Sequence, residues 1–205
     1  MSTVLITPTS SGSGLIRDLI TKPVANGGEG SNIKRHQLNP EMPNHISRVL
    51  YLYSHPYNCL LSYLKRGFAK PQEIFSSPEF QDEFEGIMAG NSNAMGFYDY
   101  LNRGKDYAGI ENHFKSYFDY EKRTYDIMFA KYECLPEIIE QVLDWFQLSE
   151  AEEQRCLKEF NFTERKSNWN TENEDVKKAL ETILGNHALF ISNLPDVTIK
   201  LRSTE

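Results

Sequence analysis

The chain has 205 residues, 40% of them apolar, 25% charged and 12% aromatic, with a formal net charge of −7. This is the size and balance of one globular domain with a real core, and the acidic excess argues against a general nucleic-acid binder while leaving room for a local basic pocket. Cys59, Cys134 and Cys156 have neither metal-ligand nor disulfide-framework spacing, and nothing resembles a signal peptide or an apolar stretch of about 18 residues, so the expected setting is the reducing cytoplasm without membrane contact.

The first predicted element is a short β-type run, residues 3–8, that breaks at Pro8 into a small-residue loop. Leu15, Ile16, Leu19 and Ile20 then recur on one helical face. A strand, a loop containing Ser10, Ser11, Gly12, Ser13 and Gly14, and a helix start together form an anion cradle. Unpaired amides and the positive end of the helix dipole converge there, and glycine permits close backbone approach. The connection after this helix begins at Pro23, and a weak strand follows at 32–37. Residues 48–54 form a nearly continuous apolar run, as expected for a strand covered on both faces. Pro56 suits the first turn of the next helix, whose buried side is Leu60, Leu61 and Leu64.

Residues 70–122 contain no convincing strand and read as a helical region. Phe75, Phe80, Phe84, Ile87 and Met88 suggest an amphipathic helix. Phe97, Tyr98, Leu101, Phe114, Tyr117 and Phe118 make aromatic stripes that read first as core packing and second as cleft lining. Residues 125–132 give a further strand, followed by a helix with Pro136 in its first turn. Ser149 with Glu152 forms a capping-box pattern, as does Thr171 with Glu174, and Gly185 suits a helix terminator.

Strands alternating with helices predict an α/β domain spanning 1–205: a three-layer α/β/α arrangement around a central parallel sheet, P-loop-like in outline. Ligands bind at the carboxyl ends of such strands. The polar clusters at 9–14, 34–36 and 54–58 fall at three strand ends, which is the case from the residues alone for a site there.

The order of several motifs resembles the sulfotransferases that use 3′-phosphoadenosine 5′-phosphosulfate, PAPS. Ser11-Gly12-Ser13 is similar to the Ser-Gly-Thr of that family's phosphosulfate loop. Lys34-Arg35-His36, followed by Leu38 and Pro40, is similar to its Lys-Thr-His-Leu-Pro. Ser54-His55-Pro56 through Ser62 looks like its Arg-Asp-Pro segment ending in serine. Tyr132-Glu133-Cys134-Leu135 is similar to Tyr-Glu-Asp-Leu, Trp145-Phe146-Gln147-Leu148 to a Phe-Leu-Gly-Leu ending, and Arg165-Lys166-Ser167 with Trp169 to Arg-Lys-Gly…Asp-Trp.

The resemblance implies a sulfotransferase-type fold and sulfuryl transfer from PAPS, without a metal, to a hydroxyl or amine of a small-molecule or carbohydrate acceptor. It implies His36 as base, Lys34 as stabiliser of the leaving oxygen, and Ser10, Ser11, Gly12, Ser13, Gly14, Ser54, Ser62, Arg165 and Lys166 around the cofactor. A neutral imidazole suits the first role because its ordinary pKa is about 6.5, and His55 is the rival base. Two family cations are replaced, the loop lysine by Ser10 and a 3′-phosphate arginine by Ser54. Arg17, Lys22, Lys65 or Arg66 could restore part of that charge. The alternative is a catalytically inactive protein of the same fold that binds a nucleotide, a phosphate or a protein partner. A P-loop kinase lacks its Gly-x-x-x-x-Gly-Lys motif, and a metal hydrolase lacks a ligand cluster.

Overall fold

A computed structural model describes residues 2–7, 13–24, 34–35, 38–65, 96–162 and 168–203. Its strands are β1 (Ser2–Ile6), β2 (Lys34–Arg35), β3 (Ile46–Tyr53), β4 (Asp126–Lys131) and β5 (Val197–Lys200). They form one sheet in the order β2-β1-β3-β4-β5. The first four are mutually parallel and β5 runs antiparallel beside β4. The described helices are α1 (Ser13–Val24), α2 (Pro56–Lys65), α3 (Phe97–Asn102), α4 (Ile110–Phe118), α5 (Leu135–Trp145), α6 (Glu150–Glu159) and α7 (Glu174–Ser192).

The continuous apolar run of β3 is explained by cover on both sheet faces. Leu50 and Leu52 face a cluster with Ile16 and Leu19 of α1, Val142 and Leu143 of α5, and Cys156 of α6. Val49, Tyr51 and Tyr53 face Phe114 and Tyr117 of α4 and Ile191 of α7. A third cluster joins α2 to α3 and α7 through Leu60, Leu61, Leu101, Leu180 and Leu184. The chain is therefore α/β, with helices on both faces of a mostly parallel open sheet. The aromatic stripes are largely core: Leu101, Phe114 and Tyr117 are buried, whereas Tyr98 is 63% exposed. The proposed helix around Phe75, Phe80, Phe84, Ile87 and Met88 lies outside the described residues, as does Arg66.

Four details differ from the sequence reading. Helix α1 continues through Pro23 to Val24. Proline has no N–H for the carbonyl four residues back, that of Leu19. That carbonyl is satisfied from α6 instead, by Arg155 Nη2 at 3.2 Å and the Cys156 thiol at 3.4 Å. Helix α7 is capped by Asn173, whose side chain accepts the Val176 N–H at 2.9 Å, while the Thr171 hydroxyl donates to the Asn168 carbonyl at 2.8 Å. Gly185 does not end α7, because the buried face continues through His187, Ala188 and Ile191. A Cβ there would lie 3.7 Å from the Tyr57 hydroxyl, an ordinary contact distance, where α7 faces α2. Strand β5 was absent from the sequence reading; its four residues alternate only weakly, and the strand rests on pairing with β4.

A partly exposed carboxylate, Asp106, has one oxygen shielded from water. The Asp106 carboxylate accepts the Glu111 N–H at 3.0 Å through Oδ2, while its buried Oδ1 makes no hydrogen bond among the described residues. Burial pushes its pKa up to about 7, against the pull of the amide donors, and the nearby Glu111 charge adds to the rise. A folded pKa above the ordinary 3.8 means the native state holds this proton more tightly. The contribution is fully present below pH ~4 and is lost as pH rises through ~7. Asp106→Asn should therefore gain about 1–3 kcal/mol of stability relative to wild type between pH 5 and pH 8. Denaturant melts at the two pH values check it; parallel shifts at both would contradict the buried-charge account.

Candidate functional site

The strand order creates a switch point. From β1 the sheet extends to β2 on one side and to β3 on the other, so the crevice where such sheets receive ligands opens between the carboxyl ends of β1 and β3. Thr7, directly after β1, is fully buried, and α1 starts at Ser13. Beyond β3 the chain runs through Ser54 and His55 into α2, with Pro56 as its first residue.

The end of β4 reaches across to this turn. A single 3-10 turn, Tyr132–Cys134, carries Glu133 to the end of β3. There the Ser54 hydroxyl and the His55 N–H, the latter at 3.2 Å, both donate to Glu133 Oε1. Ser54 is 3% exposed, so its hydroxyl has exchanged water for this carboxylate. A hydrogen bond to a charged acceptor is stronger than a neutral one, and the contact ties two neighbouring strand ends together. Farther along the edge, Asp196 receives the Cys134 thiol at 3.1 Å and lies 3.7 Å from Lys131 Nζ. Burial first, and then Asp196, push the Cys134 thiol up to about 11, which keeps it protonated and unsuited to nucleophilic work at neutral pH.

Aromatic rings close the corner from the other side. The His55 ring stacks on Trp169 with centroids 5.5 Å apart and planes 18° apart, and meets the Tyr57 edge at 4.9 Å. Tyr57 and Trp169 are perpendicular at 5.2 Å. The turn Trp169–Thr171 is anchored on α2 because the Trp169 N–H donates to Asn58 Oδ1 at 2.9 Å and Glu172 pairs with Lys65. Burial lowers the His55 pKa, with Glu133 opposing and Lys131 adding to the fall. The imidazole is thus neutral at pH 7.

Of the residues implicated by the sequence, the structure brings Ser54 and His55 into this corner. Ser62 lies inside α2, 8% exposed and about 9 Å along the helix axis from Pro56. Ser13 and Gly14 open α1, and a Cβ at Gly14 would meet open space. Lys34 belongs to β2, paired with Leu5 of β1, which brings its backbone to the same parallel ladder. Ser10, Ser11, Gly12, His36, Arg165 and Lys166 lie outside the described residues. Among the compensating cations, Lys65 is taken up by Glu172 and Arg17 pairs with Asp18. The sequence reading gave no site role to Glu133 or Trp169. The strand-end criterion that singled out Ser54 also reaches Glu133, two residues past the end of β4, and Trp169 stands in the segment that the resemblance matched together with Arg165 and Lys166.

The chain matches no protein-family model and no curated protein. Among the described residues there is no group of His, Cys, Asp and Glu that could hold a metal ion, and no helix long and apolar enough to cross a membrane.

Replacing Trp169 with alanine should expose the His55 ring to water and raise its pKa toward the ordinary 6.5, because desolvation is the main cause of its depression. An NMR titration of the imidazole Hε1 signal measures this. An unchanged pKa would show that the stacked indole does not shield the ring.

Proposed function

We propose that the protein is a nucleotide-binding protein of sulfotransferase-like type that does not carry out PAPS-dependent transfer. The observation that carries this reading is the Glu133 carboxylate on the Ser54 hydroxyl and His55 amide. The resemblance assigns a 3′-phosphate arginine to position 54, yet that position holds a serine whose hydroxyl is engaged by an internal anion. A second anion brought to the same donors would meet like charge. The β1 side differs: a Ser- and Gly-rich stretch of sequence precedes α1, which starts at Ser13 after the strand at the switch point, and such a helix start suits a single phosphate.

The second reading is active sulfuryl transfer from PAPS to a hydroxyl or amine, with His36 as base and Lys34 on the leaving oxygen. It is favoured by the direct pairing of β2 with β1, which sets the Lys34 backbone beside the strand that feeds the loop. Chemistry then requires in-line attack on sulfur, proton removal from the acceptor and charge stabilisation at the departing phosphate.

Thermal melts with AMP, ADP and PAPS, followed by transfer of labelled sulfate to an acceptor panel, separate these readings. At about ten times Kd, a 5′-nucleotide should stabilise the fold by about 1.4 kcal/mol, a Tm rise of about 3–6 °C, with no labelled product. Labelled product that disappears in His36→Ala would establish the second reading. The absence of any nucleotide response at millimolar concentration would remove both.

A further inference from the structure

We infer that the corner between β3 and β4 is a hydroxyl-recognising subsite: it takes a vicinal diol and excludes a phosphate or sulfate. The inference deepens the nucleotide reading and rests on it in part, since a ribose is one source of such a diol; a free saccharide is the other.

Three observations carry it. First, both donors at the corner, the Ser54 hydroxyl and the His55 N–H, converge on Oε1 of Glu133, leaving Oε2 without a hydrogen bond among the described residues. Glu133 is exposed, so this oxygen faces solvent as a charged acceptor. A carboxylate oxygen left open at the carboxyl end of a strand is an acceptor of the kind that sugar hydroxyls use. Second, the local charge is negative. Among the described residues, Glu133 and Asp196 stand against Lys131, which lies 3.7 Å from Asp196, and burial lowers the His55 pKa. An incoming phosphate would find its donors occupied and its counter-charge committed. A hydroxyl, which can donate, meets an acceptor instead. Third, the corner is walled by the stacked His55 and Trp169 rings with the Tyr57 edge, and Trp169 is half-buried. Ring faces beside a hydrogen-bonding carboxylate suit a ligand with apolar C–H faces and polar edges, which is the character of a furanose or pyranose. Nδ1 of His55 is also buried without a hydrogen bond among the described residues, a polar atom in the corner that the fold itself leaves unsatisfied.

The test compares AMP, which has free 2′- and 3′-hydroxyls, with 3′-phosphoadenosine 5′-phosphate, and adds methyl glucoside as a probe lacking phosphate. Calorimetry gives the affinities, while the His55 amide and Trp169 indole NMR signals report where each probe binds. Wild type should bind AMP at least about tenfold more tightly than the 3′-phosphorylated nucleotide, and Glu133→Gln should bring the two toward parity by removing the charge. If neither nucleotide binds but methyl glucoside shifts both signals, and Glu133→Gln abolishes the shifts, the subsite stands with a saccharide as its ligand and the nucleotide reading falls. If wild type prefers the 3′-phosphorylated nucleotide, or if Glu133→Gln leaves the preference unchanged, the inference is overturned while nucleotide binding survives. If none of the three probes binds, both are overturned. Should Glu133→Gln fail to fold, the wild-type preference and the location of the shifts decide the matter.

Discussion

The hydrogen bonds from Ser54 and the His55 amide to Glu133 constrain everything at the functional edge of the sheet. They join the carboxyl ends of two adjacent parallel strands at the point where β3 turns into α2. Because they enlist the backbone donor at the entry to α2, they also settle which charge the corner presents. An exposed carboxylate tied in this way adds little to global stability, since water competes for it. Its importance is chemical: it replaces a pair of anion donors by an anion.

That substitution separates two halves of one crevice. On the β1 side, α1 starts at Ser13 after a Ser- and Gly-containing stretch of sequence, and a helix start of that kind favours a phosphate. On the β3 side, Glu133 and Asp196 are the carboxylates and Lys131 the nearby cation among the described residues, a balance that under our proposal disfavours phosphate, while His55, Tyr57 and Trp169 supply rings. A molecule with one phosphate end and one polyhydroxylated end matches this polarity better than a doubly phosphorylated one. The lowered pKa of His55, caused first by burial, fits the same arrangement, in which its ring packs on Trp169 and Tyr57. The strap that brings Trp169 there is fastened at Asn58 and Lys65, so the aromatic wall and α2 form one packed unit.

Much of this fold was legible in the sequence because its main strands are buried on both faces and its helices carry strong local signals. The apolar run of β3, Pro56 and Pro136 at helix starts, and the Ser149–Glu152 box all translate directly into structure. Long-range features were less legible. Strand β5 owes its form to pairing with β4, and α7 runs past Gly185 because its buried face continues, neither of which a local window contains. Pro23 inside α1 depends on Arg155 and Cys156, more than 130 residues away in sequence. Of the site, Ser54 and His55 were found from their strand-end position. Glu133 and Trp169 stood in matched motifs without individual roles, because their contacts span 79 and 111 residues of chain.

The central claim is that an internal carboxylate occupies the anion-donating end of β3. Inorganic sulfate tests it most directly, with the His55 backbone amide followed by NMR in wild type and Glu133→Gln. The account predicts that sulfate leaves this amide undisturbed in wild type and shifts it saturably once the carboxylate charge is removed. An equal, saturable shift of the His55 amide by sulfate in the wild-type protein would contradict it.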